Sequence, residues 1–396
     1  MKNLTLATIF AAISGFVVLW VAARALDPET GYRYFAAFWS VFFAGAGLVD
    51  GITHETTRAV ASAAETGKRG AANPWRIGAR LAAVVLVVVA VGGALLMGTV
   101  VPQSPGTATA LLTIGLISYV FQAVLAGVLS GSHLWDRYAA LFALDSGVRL
   151  VLAVVAWAAG WGLPVFLLIT VIGAASWLTL LRREHLQVPV DVDSGLFVRR
   201  MVTAMVASGA SAALITGFPA VINAAFPGAP VAAVINAVIL TRAPVLVPLQ
   251  RFQSALVVRF VEHRDRIYAA LAMPIGAVLG LGAVGFVAAW AVGPLILRIA
   301  FSPEYAMGGV SLGVLTFASA FMGALMITGV AVLALERHGW YVAGWLTATA
   351  VAFGILFAAP VGAEGGGTVA SISIALFAGP LAGALVHVAG LRRALR

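Results

Sequence analysis

The chain has 396 residues, of which 62% are hydrophobic and 10% charged, and its mean hydropathy is +1.03. A water-soluble domain of this composition would lack the polar side chains needed to cover its surface, so we predict an all-α integral membrane protein. Cysteine is absent, which excludes disulfides and thiolate metal sites. The net charge of +9 is distributed over short loops, which is typical of topology signals and argues against nucleic acid as a partner.

Twelve apolar segments are long enough to cross a bilayer, which needs about 20 residues for each helix. The first runs from Leu4 to Leu26, which is longer than the apolar region of a signal peptide, so we interpret it as a retained span. The predicted spans are 4–26, 33–52, 78–101, 107–131, 137–160, 162–181, 197–224, 229–251, 268–298, 308–335, 340–360 and 366–391.

The distribution of lysine and arginine indicates the orientation of these spans. Three arginines, Arg24, Arg33 and Arg298, fall on the outer side, and Arg149 and Arg242 fall inside spans. The other 19 of the 24 basic residues lie on the opposite side, where the N-terminus also lies. Because short cytoplasmic loops are enriched in basic residues, we predict that both termini lie in the cytoplasm and that the protein resides in the inner membrane.

The longest cytoplasmic connection after the sixth span divides the chain into two halves. It contains Pro189, Asp191, Asp193 and Gly195 and leaves six spans on either side. Paired halves are a common plan of transporters. We therefore predict an N-terminal six-helix lobe at 1–181, a cytoplasmic linker at 182–196 and a C-terminal six-helix lobe at 197–396.

Three stretches carry a resemblance to a known family. They are AARALDPETGYRY at 22–34, GLVDGI at 47–52 with TTRAVA at 56–61, and LILRIAFSPEYA at 295–306. They resemble signals of the polysaccharide-biosynthesis, or O-antigen flippase, family of the multidrug/oligosaccharidyl-lipid/polysaccharide exporter superfamily. The resemblance implies a two-lobed transporter that moves a polyprenyl-(pyro)phosphate-linked oligosaccharide across the cytoplasmic membrane by alternating access.

Two arginines inside spans are candidates for contact with an anionic lipid headgroup. Arginine stays charged and can hold phosphate oxygens with two donors, and charges inside spans are costly unless they are paired or functional. Arg149 lies roughly 20 Å into the fifth span, with Asp145 one helical turn earlier as an alternative, purely structural partner. Arg242 has no acidic residue within a helical turn and is followed by Pro244 and Pro248, which favours a disturbed helix.

Asp145 is the carboxylate placed most clearly inside a span, so it is the candidate site for a coupling ion, with pairing to Arg149 as the alternative. Asp50 and Glu55 lie beside Arg58 at the predicted cytoplasmic end of the second span, which favours a solvated interfacial cluster. For His54 and His387, near cytoplasmic ends, we expect solvated interfacial histidines. Asn223 and Asn236 are expected to cap an outer turn.

Four classes of function remain open on these observations. We favour the flippase, with a lipid-linked glycan, membrane lipids and glycan-assembly machinery as partners and with no cofactor or metal. The alternative is a proton- or sodium-coupled multidrug-type exporter. A membrane glycosyltransferase or polymerase would have to use the outer-loop acids Asp27, Glu29, Glu304 and Glu364, so we expect no enzyme. A scaffold without transport activity is the fourth class.

Overall fold

The computed structural model describes residues 2–227, 229–335, 337–359 and 366–394. The described residues form helices and connecting turns. The α-helices are α1 (Lys2–Ala25), α2 (Arg33–Thr66), α3 (Pro74–Val100), α4 (Pro105–Gly131), α5 (Trp135–Ala158), α6 (Leu163–Ile172), α7 (Trp177–Leu180), α8 (Ser194–Ile215), α9 (Phe218–Ala225), α10 (Ala232–Glu262), α11 (Ile267–Ala300), α12 (Gly309–Ala334), α13 (His338–Ala358) and α14 (Gly366–Ala394).

The predicted fold class is confirmed. Within the described residues, eleven segments are helical, long and apolar enough to cross a membrane. The predicted eighth span corresponds to α10, whose described apolar stretch is Ala232–Arg242. The sixth span combines α6, a short 3-10 turn at Gly173–Ala175 and α7.

Local sequence signals explain where the helices begin and end. The Asn73 side chain accepts a hydrogen bond from the Arg76 amide at 3.0 Å, and Pro74 occupies the first turn of α3. The predicted seventh span, 197–224, is interrupted: α8 ends at Ile215 and α9 starts at Phe218. The physical reason is Pro219, which has no amide hydrogen to donate to the carbonyl of Ile215.

The chain divides into two compact units, Met1–Ala220 and Val221–Arg396. In the first unit α1 packs on α5, α4 packs on α2 and α3, and α8 packs along α2. The apolar core joins Ile52 of α2, Val124 of α4 and Phe197 of α8, and it includes Val190 and Val192 of the predicted linker. The first unit therefore extends beyond the linker to α8, while the predicted division into two six-helix lobes stays a prediction.

The second unit is built around α12. This helix is apolar on every side and contacts α10, α11, α13 and α14, so its side chains, among them Leu325, are largely buried. The helices α13 and α14 also pack on each other along much of their length.

Candidate functional site

Asp145 and Arg149 form a buried ion pair within α5. The Nη1 atom of Arg149 lies 2.5 Å from Oδ2 of Asp145, and its Nε donates to the carbonyl of Thr170 at 2.8 Å. Both residues are buried, at 7% and 3% exposed. The pairing that the four-residue spacing allows is thus the one that the structure shows.

Neighbouring helices confine this pair closely. The guanidinium of Arg149 lies over the rings of Phe42 and Phe43 of α2, with its Cζ atom 5.7 and 5.1 Å from the two ring centroids, which stabilises a desolvated cation. On the other side lies Gly173, where an added Cβ would fall 2.7 Å from both Cζ of Arg149 and Oδ1 of Asp145. Only glycine leaves room for the pair at this point.

The pair retains unused hydrogen-bonding capacity. Oδ1 of Asp145 and Nη2 of Arg149 are buried and have no hydrogen-bond partner among the described residues. An unsatisfied buried oxygen can accept a hydrogen bond or contact a cation, and an unsatisfied donor can bind an anion or water. Asp145 therefore remains a candidate site for a coupling ion. Arg149 is already bound to Asp145, so it is less available to bind a substrate.

Asp50 lies halfway along α2 and does not pair with Arg58, which lies two turns later on the same helix and pairs with Glu55. The hydroxyl of Tyr119, on α4, donates to Oδ1 of Asp50 at 3.0 Å. Within the described part of the chain, no basic side chain lies within ion-pair distance of Asp50. The ring of Tyr119 packs edge-on against Phe42, which also contacts Arg149, so one contiguous group of side chains joins Asp50 to the ion pair.

The expectation of one solvated cluster of Asp50, Glu55 and Arg58 is wrong. Glu55 is buried, at 4% exposed, and pairs with Arg58 at 2.6 Å. The reason is the length of α2, which continues to Thr66 and places Asp50 in its middle. The sequence indicates this extension of the second helix beyond residue 52, but not the contacts that bury Glu55.

Arg58 also holds the predicted linker. Its Nη1 and Nη2 donate to the two carboxylate oxygens of Asp191 at 2.9 and 3.0 Å. This hydrogen bonding lowers the pKa of Asp191 below its ordinary value. The amide of Gly70 donates to the carbonyl of Val190 at 2.6 Å, and that of Ala72 donates to Val192 at 3.2 Å. The linker is therefore fixed to Arg58, near the end of α2, and to the segment that joins α2 to α3.

A second group of contacts fixes the start of the linker. Arg137 of α5 lies 2.5 Å from Glu184 and 3.0 Å from Nε2 of His185. The indole of Trp75 donates to the carbonyl of His185 at 2.8 Å. Burial, and then the charge of Arg137, lower the pKa of His185. We call the residues Arg58, Arg137, His185 and Asp191 the cytoplasmic clamp.

Arg242 lies in the second unit, in α10, and is 6% exposed. The predicted pair of headgroup arginines thus belongs to two different units. The side chains of Pro244 and Pro248 lie outside the described residues, so the predicted disturbance of α10 stays a prediction.

Other candidate residues have mainly local roles. Asp27 caps a short π-helix through the amides of Glu29 and Thr30, Glu29 pairs with Arg33 at 3.1 Å, and Glu304 accepts from Ser302. Glu364 lies outside the described residues. Asn223 and Asn236 are buried rather than exposed on a turn. Within the described ranges there is no group of three or more His, Cys, Asp or Glu residues placed to hold a metal ion.

Comparison with solved structures identifies the fold. An inward-facing multidrug resistance MATE family transporter of the MOP superfamily matches with a TM-score of 0.77 and 17% identity, covering 97% of this chain and 95% of the other. A MOP superfamily transporter from Pyrococcus furiosus, described as having a binding pocket of reverse polarity, matches with a TM-score of 0.66 and 15% identity over 100% and 95% of the two chains. These matches show the fold, whereas the predicted superfamily and its O-antigen flippase branch stay predictions.

No protein-family model matches the chain. The uncharacterized protein Mb3654 of Mycobacterium bovis is 36% identical over 399 residues, which cover 98% of this chain and 90% of the relative. The uncharacterized protein Rv1510 of Mycobacterium tuberculosis is 36% identical over 398 residues, with the same coverage. The chain therefore belongs to the family of the mycobacterial proteins Mb3654 and Rv1510, and it is a multi-pass membrane protein with the MATE transporter fold.

Proposed function

We propose that the protein is a proton-coupled exporter of small amphipathic molecules in the cytoplasmic membrane, with Asp50 as the site that binds the coupling proton. The fold of the MATE transporters supports export as the class of function. The flippase prediction drawn from the sequence becomes the second candidate, because one of its two candidate headgroup arginines, Arg149, is engaged by Asp145.

The observation that carries the proposal is the environment of Asp50. A carboxylate on a membrane-spanning helix is costly when charged, unless a cation lies beside it. Asp145 has Arg149 as such a cation, but Asp50 has the hydroxyl of Tyr119. Proton binding neutralises Asp50 and removes the cost of its charge, and proton release restores that cost. The free energy of placing α2 in the membrane therefore depends on whether Asp50 is protonated.

The oxygen atoms around Asp50 favour a proton over a sodium ion as the coupling ion. A metal cation held by oxygen atoms needs several ligands around it. Asp50 and Tyr119 supply one carboxylate and one hydroxyl, which is sufficient to hold a proton. Asp145, with its unpartnered Oδ1, is the second candidate for the coupling site.

The test is transport by the purified full-length protein in proteoliposomes with an acidic interior. The probe is ethidium, whose accumulation is followed by fluorescence. We expect a pH gradient to drive uptake and Asp50→Asn to reduce uptake to the level of protein-free liposomes. The matched control is Glu65→Gln, because Glu65 is an exposed carboxylate on the same helix. Uptake driven by a sodium gradient alone, or unchanged uptake by Asp50→Asn, would contradict the proposal.

Arg242 supports the second candidate, a flippase of lipid-linked glycans. A buried arginine suits a pyrophosphate headgroup because its planar fork can hold two oxygens. The assay is movement of a fluorescent polyprenyl-pyrophosphate glycan between the leaflets of proteoliposomes, read by dithionite quenching. If this is the function, Arg242→Gln lowers the rate, whereas Arg199→Gln, at an exposed arginine of α8, does not. No movement with the wild type would exclude this candidate.

A further inference from the structure

His387 of α14 is fully buried, at 0% exposed. The expectation of a solvated interfacial histidine is therefore wrong for this residue, whereas His54 is exposed as expected. Three helices explain the burial, because α14 packs on both α12 and α13 at this level. A buried imidazole between helices needs a partner for each ring nitrogen.

Both ring nitrogens have such a partner. Nε2 lies 3.1 Å from the carbonyl oxygen of Tyr341 on α13. A carbonyl can only accept, so Nε2 carries a hydrogen in every state that keeps this contact. Nδ1 lies 3.0 Å from Oγ1 of Thr328 on α12, and the same Oγ1 lies 2.9 Å from the carbonyl of Leu325.

The Thr328 hydroxyl lets the site satisfy two protonation states. In the neutral ring, Nδ1 accepts the hydroxyl hydrogen of Thr328. In the charged ring, Nδ1 donates to Oγ1, and the hydroxyl turns its hydrogen to the carbonyl of Leu325. One rotation of a hydroxyl group thus accompanies the gain or loss of one proton, and no ring nitrogen is left without a partner in either state.

Gly329, Gly344 and Tyr341 surround the imidazole of His387 closely, and we call these three residues the imidazole cradle. An added Cβ at Gly344 of α13 would fall on Nε2 of His387, so a larger residue at position 344 would expel the ring. On α12, an added Cβ at Gly329 would lie 3.3 Å from Cε1. The ring of Tyr341 stacks on the imidazole with 6.1 Å between centroids and 11° between planes.

The charged side chains near the site are cationic. The sequences of α12, α13 and α14 contain no acidic residue. On α14, Arg392 and Arg393 follow the ring, and Arg393 lies over Trp340 at 5.1 Å; on α13, His338 is exposed. The charge of a protonated ring is therefore balanced by the carbonyl and hydroxyl dipoles of three helices rather than by a carboxylate.

We propose that His387 is a proton-binding site of the second unit, which takes up its proton on Nδ1 between α12, α13 and α14. Because the ring has no exposed surface, the proton exchanges with water only when one of these helices moves. Proton binding is thereby linked to motion of the helices within the second unit. The site goes beyond the proposed function, because its geometry does not depend on Asp50 or on the transported molecule.

The test is solid-state NMR of the full-length protein, labelled with 15N-histidine and reconstituted in lipid bilayers, between pH 5 and 9. We expect a histidine whose Nε2 stays protonated throughout and whose Nδ1 changes from an acceptor to a protonated nitrogen as the pH falls. His387→Asn removes this signal. The matched control His338→Asn, at an exposed histidine of α13, removes a different one.

A second variant keeps the test decisive if His387→Asn does not fold. Thr328→Val preserves the shape of the side chain but removes the oxygen that accepts from the charged ring. Because hydrogen bonds to a charged group are stronger than those between neutral groups, the midpoint falls by about 0.5–1 pH unit. Absence of any titrating signal that is removed by His387→Asn or shifted by Thr328→Val would overturn the proposal.

Discussion

The two compact units differ in the chemistry of their buried titratable groups. The first unit contains the buried carboxylates Glu55 and Asp145, each with an arginine beside it, and the half-buried Asp50. The helices α11 to α14 of the second unit contain no acidic residue, and the buried titratable ring there is His387. The buried carboxylates of the first unit are thus balanced by ion pairs, whereas the site of His387 relies on backbone and hydroxyl dipoles.

This difference teaches that each unit holds a proton in its own way. A carboxylate is neutral when protonated, so proton binding relieves the cost of burial at Asp50. An imidazole is charged when protonated, so proton binding at His387 requires the dipoles of α12 and α13. Under the two proposals, acidification removes the charge of Asp50 in the first unit and adds a charge at His387 in the second.

The largest effect should come from breaking the ion pair of the first unit. Arg149→Gln leaves Asp145 as a buried charge without its cation, which costs about 3 kcal/mol or more of unfolding free energy. Adding Asp145→Asn to this variant should recover most of the loss, because the buried charge is removed as well. Unfolding in mixed micelles measures both, with Arg199→Gln as the control at an exposed arginine. Equal stability of Arg149→Gln and this control would show that the ion pair of Asp145 and Arg149 does not stabilise the first unit.

The second unit should instead be most sensitive to the space around its imidazole. Gly344→Ala places a methyl group on Nε2 of His387, and overpacking of this kind costs about 2 kcal/mol. Gly354→Ala is the matched control, because Gly354 lies on the same helix with no atom within 4 Å of an added Cβ. The control should be neutral or stabilising, since alanine favours helix. Thermal unfolding measures the stability of both variants. Equal losses of stability would contradict close packing around the imidazole of His387.

Much of the fold could be predicted from the sequence, because hydropathy and the basic loops follow directly from the demands of a bilayer. The pairing of Asp145 with Arg149 could also be predicted, because residues four apart lie on the same face of a helix. The end of α8 at Ile215 was missed, although Pro219 carried the signal.

The remainder of the site depends on contacts between distant segments, which periodicity does not encode. The linker meets α2 through Arg58 and Asp191, which are 133 residues apart. His387 and Thr328 meet across 59 residues. The burial of His387 and the contact of Asp50 with Tyr119 follow from such packing, so the sequence led us to expect interfacial positions for both residues.

Substitutions in the cytoplasmic clamp should have a smaller effect on the free energy of unfolding. They test whether ion pairs outside the predicted spans also stabilise the first unit. Asp191→Asn removes a two-oxygen contact with the partly exposed Arg58, and we expect a loss of about 1 kcal/mol at pH 7. The pKa of Asp191 is lowered in the folded state, so its contribution is present above the ordinary value of 3.8 and lost as the pH falls below it. Thermal unfolding at pH 7 and pH 3 should show the difference and its loss, with Asp265→Asn as control.

The smallest effect concerns His185 of the same clamp. Its pKa is lowered from 6.5, so the folded state prefers the neutral ring and the stabilisation is present above pH 6.5. It is lost as the pH falls from 6.5 through the lowered pKa. Hydrogen exchange of residues 182–193, corrected for intrinsic rates, should be faster at pH 5.5 than at pH 7.5. His185→Gln should remove this dependence and His263→Gln should not; a dependence that survives His185→Gln would contradict the assignment.

The most direct test of proton coupling at Asp50 is the pH inside proteoliposomes, recorded with trapped pyranine while ethidium enters. Starting from an acidic interior, the wild type should alkalinise the lumen as the dye accumulates, because each inward movement of dye is exchanged for protons. Asp50→Asn should show neither change, while Glu65→Gln should behave as the wild type does. Dye entry by the wild type without alkalinisation, or alkalinisation that persists in Asp50→Asn, would contradict coupling through this carboxylate.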